Sequence, residues 1–240
     1  MRLIRINARN WNAPALRQEQ GDQAIQGPPV LKLTPAATGP TARPVLLVHG
    51  LGCTTSGWFT LASALRARGA TVAAISYRPL GTSVEQLAVL VAGKVAELLA
   101  ETGADKVHLV GRSLGGVVIA QALADGSLNG KVDTVVSVAA PFGGTPWAAR
   151  LVPVGATVRS LREASPLLRR LALAPAPDGV RWLAFTATLD MIGPRRRSGP
   201  APARMQTVAV EGVGHIGLLL NSQVVNSIVA ALPAHEQAAA

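Results

Sequence analysis

Residues Lys106 to Gln121 read KVHLVGRSLGGVVIAQ: an apolar run, then Gly111-Arg112-Ser113-Leu114-Gly115, then a second apolar run. A serine with glycine two places before and two places after it suits a sharp strand-to-helix turn. There its hydroxyl stands exposed at the carboxyl end of a strand and can act as a nucleophile. Flanking residues carrying a β-carbon would clash at such a turn. The pattern alone is weak, because chance supplies roughly one G-x-S-x-G in ten chains of this composition. A serine that merely caps the following helix would also read this way. Nucleophilic chemistry further requires a base, an acid to orient it, and two backbone donors for an oxyanion.

The chain offers His49, His108, His215 and His235 as bases. His235 lies in the tail AHEQAAA, which has no core-forming pattern. His108 falls inside a strand run, where a structural role is expected. His215 follows the run Met205 to Glu211 on a loop flanked by Gly212, Gly214 and Gly217, and a loop above the strand ends lets a histidine reach the serine without entering the core. A structural histidine is the alternative. The acid is expected at the end of the preceding strand, where Arg181 to Leu189 runs into Asp190. Asp178 is the other candidate, but Pro177-Asp178-Gly179 reads as a turn. For the oxyanion, the amide of Leu114 follows the nucleophile. The amide of Leu51 follows the run Pro44 to Val48 through His49-Gly50, where glycine permits close approach to a ligand.

Elements that would hold these groups alternate along the chain. Strand runs at Val45 to Val48, Thr71 to Ser76, Val107 to Val110 and Thr134 to Ala139 are separated by helical runs near Trp58 to Arg68, at Val84 to Leu99 and at Leu114 to Ala124. Such alternation predicts a doubly wound, mainly parallel sheet with helices on both faces. Ligands bind such sheets at the carboxyl ends of the strands, the edge on which His49, Ser113, Asp190 and His215 all fall. Residues 143–179 break the alternation. They are rich in Ala, Leu, Arg and Pro, and Thr145-Pro146 and Ser165-Pro166 are helix starts. This stretch is expected to be a small helical cap whose leucines, Leu161, Leu168 and Leu171, either face the serine or shield the core. Residues 1–43, with Leu3 to Ile6 and Val30 to Leu33 as extended runs, are expected to form an arm or edge segment, and residues 44–240 the main domain.

These motifs resemble the α/β-hydrolases, and within them the bacterial lipases and esterases. The resemblance rests on HGLG at His49 to Gly52, GRSLGG at Gly111 to Gly116, AAPFGGTPWA at Ala139 to Ala148, LDMIGP at Leu189 to Pro194 and GHIGL at Gly214 to Leu218. It implies the α/β-hydrolase fold and a catalytic triad of Ser113, His215 and Asp190, in the family's chain order of serine, acid, histidine. It also implies an oxyanion hole from Leu51 and Leu114, and substrate contacts from His49, Gly50, Phe142 and Trp147. Arg112 departs from the pattern, since lipases of this group more often carry histidine before the serine. That departure weighs against a long-chain lipase more than against an ester hydrolase.

Composition bounds the alternatives. A length of 240 residues suits one α/β domain. The formal charge of +10 is not accompanied by aromatic enrichment or a recognition motif, so no nucleic-acid partner is expected. The run Arg195-Arg196-Arg197 reads as a solvated loop or as a site for anionic lipid surfaces or substrates. Cys53 is the single cysteine, and no metal-ligand spacing occurs, so neither an internal disulfide, a metal nor another cofactor is expected. No signal-like or membrane-spanning run is evident, which reads as cytoplasmic. The expected activity is hydrolysis of a small-molecule ester or lipid through an acyl-enzyme. A thioesterase or lipid-linked acyl hydrolase with the same triad remains an alternative, as does a hydrolase-like acyl-binding scaffold without turnover.

Overall fold

Four apolar β-branched and leucine residues, Val45–Val48, form a strand that is almost completely buried along its whole length. In a computed structural model, residues 4–7, 43–150, 155–175, 178–190, 192 and 205–232 are described. Seven strands make one sheet: β1 (Ile4–Asn7), β2 (Val45–Val48), β3 (Val72–Ile75), β4 (Val107–Arg112), β5 (Val132–Val138), β6 (Arg181–Ala187) and β7 (Gln206–Glu211). Their order is β1-β7-β6-β5-β4-β2-β3, and every neighbouring pair is parallel. A strand buried on both faces needs apolar residues in succession rather than in alternation, as β2 shows.

Alternate residues of β2 send their side chains to opposite faces of the sheet. Leu46 and Val48 pack in one core with residues of α2 (Val84–Thr102), α3 (Leu114–Ala124) and the later helices α5 (Ala156–Ser160) and α6 (Pro166–Leu173). Val45 and Leu47 pack in a second core with residues of α1 (Phe59–Arg66) and α7 (Ser222–Ala231). Helices therefore cover both faces, and the helix ends carry recognisable stops. Ser83 and Gln86 form a reciprocal capping box at the start of α2, and Gly103 closes it in the left-handed region at φ 69°.

Between β5 and β6 the described residues form three short helices, α4 (Trp147–Arg150), α5 and α6. Ser165 caps α6 by accepting from the Leu168 amide at 3.2 Å, with Pro166 in the first turn. The excursion is tied down by hydroxyls: Thr157 donates to the carbonyl of Pro79 at 2.8 Å and to that of Thr82, and Thr145 donates to the carbonyl of Ile192. Leu168 and Leu171 are buried in the core beneath it. Of the first 43 residues, Ile4–Asn7 is an edge strand parallel to β7. Residues 8–42, the run Arg195 to Arg197 and His235 lie outside the described residues.

His108 is fully buried, and its Nδ1 lies 3.3 Å from Asp133, whose other oxygen accepts from Arg43 at 2.7 Å. That cluster sits at the amino ends of β4 and β5, on the edge of the sheet opposite the carboxyl ends that carry Ser113.

Candidate active site

The turn between β4 and α3 is built from glycines whose hydrogens touch backbone. A β-carbon at Gly111 would lie 2.6 Å from the Gly116 nitrogen, and one at Gly115 would lie 2.1 Å from the Val48 carbonyl oxygen. A β-carbon at Gly116 would meet the Ala140 side chain at 2.6 Å. Ser113 itself has φ 51° and ψ −120°, a positive-φ conformation costly for a residue with a side chain. Its amide donates to the Val138 carbonyl at 2.8 Å, and its carbonyl accepts from Gly116 at 3.0 Å. Ser113 occupies the N-cap position of α3, yet its hydroxyl accepts no capping bond. Helix capping therefore does not explain this serine.

Asp190 and His215 meet across the ends of β6 and β7. His215 Nδ1 lies 2.8 Å from Asp190 Oδ2, and Asp190 Oδ1 accepts from the Ile192 amide at 2.8 Å. The aspartate side chain is wholly buried and the histidine side chain is 9% exposed. Backbone bonds hold the two loops together: Leu189 donates to Val213 at 3.1 Å, and Gly212 donates to the Thr188 hydroxyl at 3.0 Å. With Nδ1 donating to the carboxylate, Nε2 remains as the basic nitrogen of the ring.

Ser113 and His215 line one cavity of about 590 Å³, within the usual range for small-molecule sites. Leu51, Gly52 and Cys53 line one side, and Pro141, Thr145, Trp147, Ala148, Val158 and Leu161 line another. Arg112, Ile192 and Ile216 complete the wall. Leu161 thus turns toward the serine, whereas Leu168 and Leu171 do not. Among the described residues, the Leu51 and Leu114 amides carry no hydrogen bond, while the Cys53 amide donates to Gly50. Leu114 begins α3, where a backbone N–H has no partner in the helix by position. Neither amide is spent on an acceptor among the described residues.

The residues expected to touch substrate divide. Trp147 lines the cavity. Gly50 lies behind it: a β-carbon there would come within 2.9 Å of Ser113 Cβ, so glycine is required for the loop to pass under the serine. His49 and Phe142 do not line it. His49 is 2% exposed, stacked on Tyr77 at a centroid distance of 4.2 Å. Its Nδ1 donates to the Gly50 carbonyl at 2.9 Å, and its Nε2 accepts from the Tyr77 amide at 3.4 Å. The Tyr77 hydroxyl donates to the His49 carbonyl. Phe142 is buried edge-on against Trp182. Both support the site from behind, because an aromatic ring at the end of a buried strand is more favourably packed than exposed.

Tyr77 is the supporting residue that sequence reasoning missed. Its signal is faint: it is the only tyrosine, and it stands just beyond the β3 run. Asp178 lies in a turn, apart from the cavity. Among the described residues, no group of acidic, histidine or cysteine side chains could hold a metal ion, and no helix is long and apolar enough to cross a membrane.

The family profile described as the α/β-hydrolase fold matches residues 43–157. Comparison with curated proteins gives no match. Among solved structures, a Bacillus licheniformis lipase in its mature form is similar with a TM-score of 0.67 at 16% identity, over 83% of this chain and 96% of that one. A monoacylglycerol lipase from Paleococcus ferrophilus gives 0.60 at 20% identity, over 80% and 95%. A Bacillus subtilis carboxylesterase gives 0.54 at 14% identity, over 82% and 85%.

Proposed function

We propose that this chain, an α/β hydrolase by fold, hydrolyses carboxylic esters through a serine acyl-enzyme. The observation that carries the reading is the conjunction of a strained, uncapped Ser113 with the His215–Asp190 pair at 2.8 Å, both opening on one cavity. Ser113 Oγ attacks the ester carbonyl as His215 Nε2 takes its proton. The developing oxyanion is met by the Leu51 and Leu114 amides, and His215 returns the proton to the departing alcohol. Water, deprotonated by the same nitrogen, then attacks the acyl carbonyl and restores the serine. Asp190 holds the imidazole in one tautomer and stabilises its protonated form. The excursion carrying α4, α5 and α6 acts as a cap whose Trp147, Ala148, Val158 and Leu161 bind the acyl or alcohol group. Similarity to lipases and a carboxylesterase supports the ester as substrate class at the level of fold.

A fluorophosphonate probe tests the reading directly. The wild-type chain should be labelled on Ser113 and should turn over a p-nitrophenyl ester, and Ser113→Ala should do neither. A folded chain that resists labelling would instead be an acyl-binding scaffold. Parallel assays with acyl thioesters of equal chain length decide between oxygen and sulfur leaving groups.

A further inference from the structure

Arg112 is the one arginine, lysine or carboxylate side chain among the described residues lining the cavity, and it stands beside the nucleophile. Its chemical situation is unusual. Nε is shielded from solvent and has no hydrogen-bond partner. Nη1 reaches only the Cys53 sulfur, at 3.5 Å, and a thiol is a weak acceptor. A guanidinium carries five donors, and leaving the buried Nε–H unmet costs free energy.

Among the described residues, no carboxylate pairs with this side chain. Among the described residues none lines the cavity, and the nearest acid in the catalytic group, Asp190, spends its oxygens on His215 and the Ile192 amide. The stretches outside the described residues that adjoin the wall in sequence, 151–154, 191 and 193–204, contain neither Asp nor Glu. A structural arginine would be expected to face an acid or a set of carbonyls. The rest of the wall is mainly apolar, so an anion entering here meets a cation in a low-dielectric setting, where the attraction is stronger than in water.

We propose that Arg112 binds an anionic oxygen group of the substrate, a carboxylate or a phosphate, so that the esters hydrolysed here carry a negative charge close to the scissile bond. The inference rests on the hydrolase reading and specifies its substrate class. Arginine suits the task because its planar fork meets two oxygens of either group at once. Arg112 is fixed next to Ser113 in the chain, so the distance between the bound anion and the reacting carbonyl is set by the turn itself.

The test compares esters matched in length: p-nitrophenyl hemiglutarate against p-nitrophenyl valerate, and a lysophosphatidate against the corresponding monoacylglycerol. Wild-type kcat/KM should favour at least one charged member of these pairs by roughly 10- to 100-fold, the scale of a charge-assisted hydrogen bond. Whichever pair shows it identifies the anion as carboxylate or phosphate. Arg112→Gln should remove most of that preference, and Arg112→Lys should retain part of it. A wild-type ratio near one in both pairs overturns the proposal without any variant being needed. So does an equal loss on charged and neutral esters in Arg112→Gln, which would place the cation on the oxyanion instead. If no ester is turned over and no fluorophosphonate label is taken up, the hydrolase reading fails. The anion site is then judged by Tm: glutarate or inorganic phosphate should raise that of the wild type but not that of Arg112→Gln, and no rise in the wild type refutes it.

Discussion

The ring of Tyr77 lies on the ring of His49, 4.2 Å between centroids and 12° from coplanar, while its hydroxyl bonds the His49 carbonyl. One side chain thus clamps both the imidazole and the backbone that enters the Leu51 loop. Burial, reinforced by the nearby Cys53, pushes the Tyr77 phenol above its ordinary value of 10.0. The phenol is the sole tyrosine in the chain, so its ionisation can be followed without overlap. In the folded protein, tyrosinate absorbance should stay absent at pH 10 and emerge only above it. Because the folded value is raised, the stabilisation is complete below pH 10 and declines as pH climbs beyond it. Tyrosinate formed at the ordinary pH in a still-folded chain would contradict the clamp.

Removing the clamp's hydroxyl should have a smaller, separable effect. Tyr77→Phe keeps the stacked ring and loses the bond to the His49 carbonyl. A loss of about 1 kcal/mol in denaturant unfolding is expected, with kcat falling more than KM rises, since the loop carries the Leu51 amide. A change confined to KM would show that the loop does not depend on Tyr77.

Asp190→Asn tests orientation without removing bulk. The amide can still accept from Ile192, but it no longer fixes the imidazole tautomer. Activity should drop by roughly 10³- to 10⁴-fold, as in other serine triads, while the circular dichroism spectrum and Tm remain close to wild type. Near-normal turnover would remove Asp190 from the mechanism.

Two glycine substitutions should act in opposite directions. Gly115→Ala drives a β-carbon to 2.1 Å from the Val48 carbonyl oxygen, backbone that cannot yield locally. It should cost more than about 3 kcal/mol or abolish folding. Gly93 lies inside α2, and apart from its chain neighbours and the helix's own backbone nothing comes within 4 Å of the added carbon, so Gly93→Ala should stabilise by about 1 kcal/mol through helix propensity. Urea titration of both variants checks the contrast.

Trp147 is 42% exposed and lines the cavity. Trp147→Ala should therefore cost little stability yet weaken apolar binding by about 1–3 kcal/mol. The loss in kcat/KM should grow with ester chain length. An equal loss for acetate and octanoate esters would place Trp147 outside the binding wall.

Local chemistry made much of the site legible. Helix α3 follows from its apolar run and starts at Leu114 as its pattern predicts, and Ser165 announces the helix it caps. The G-x-S-x-G glycines also signal their own reason, because close backbone approach at a turn admits no side chain. His49 and Phe142 stand off the cavity wall in a way the sequence hides: their positions beside loop glycines give no sign of which way a ring turns. Burial of a ring against Tyr77 or Trp182 depends on partners 28 and 40 residues away.

What the sequence by itself determined is the order of chemical groups and the periodicity of the strands and helices, since both depend on residues near one another in the chain. Only the tertiary structure decided that His215 and Asp190 lie 2.8 Å apart, that Leu161 faces the cavity while Leu168 and Leu171 do not, and that Arg112 enters the cavity wall with no acid beside it. Those relations arise where separate strand ends converge on one edge of a parallel sheet. Packing of distant segments sets them, and neither spacing nor composition encodes that packing in a readable form.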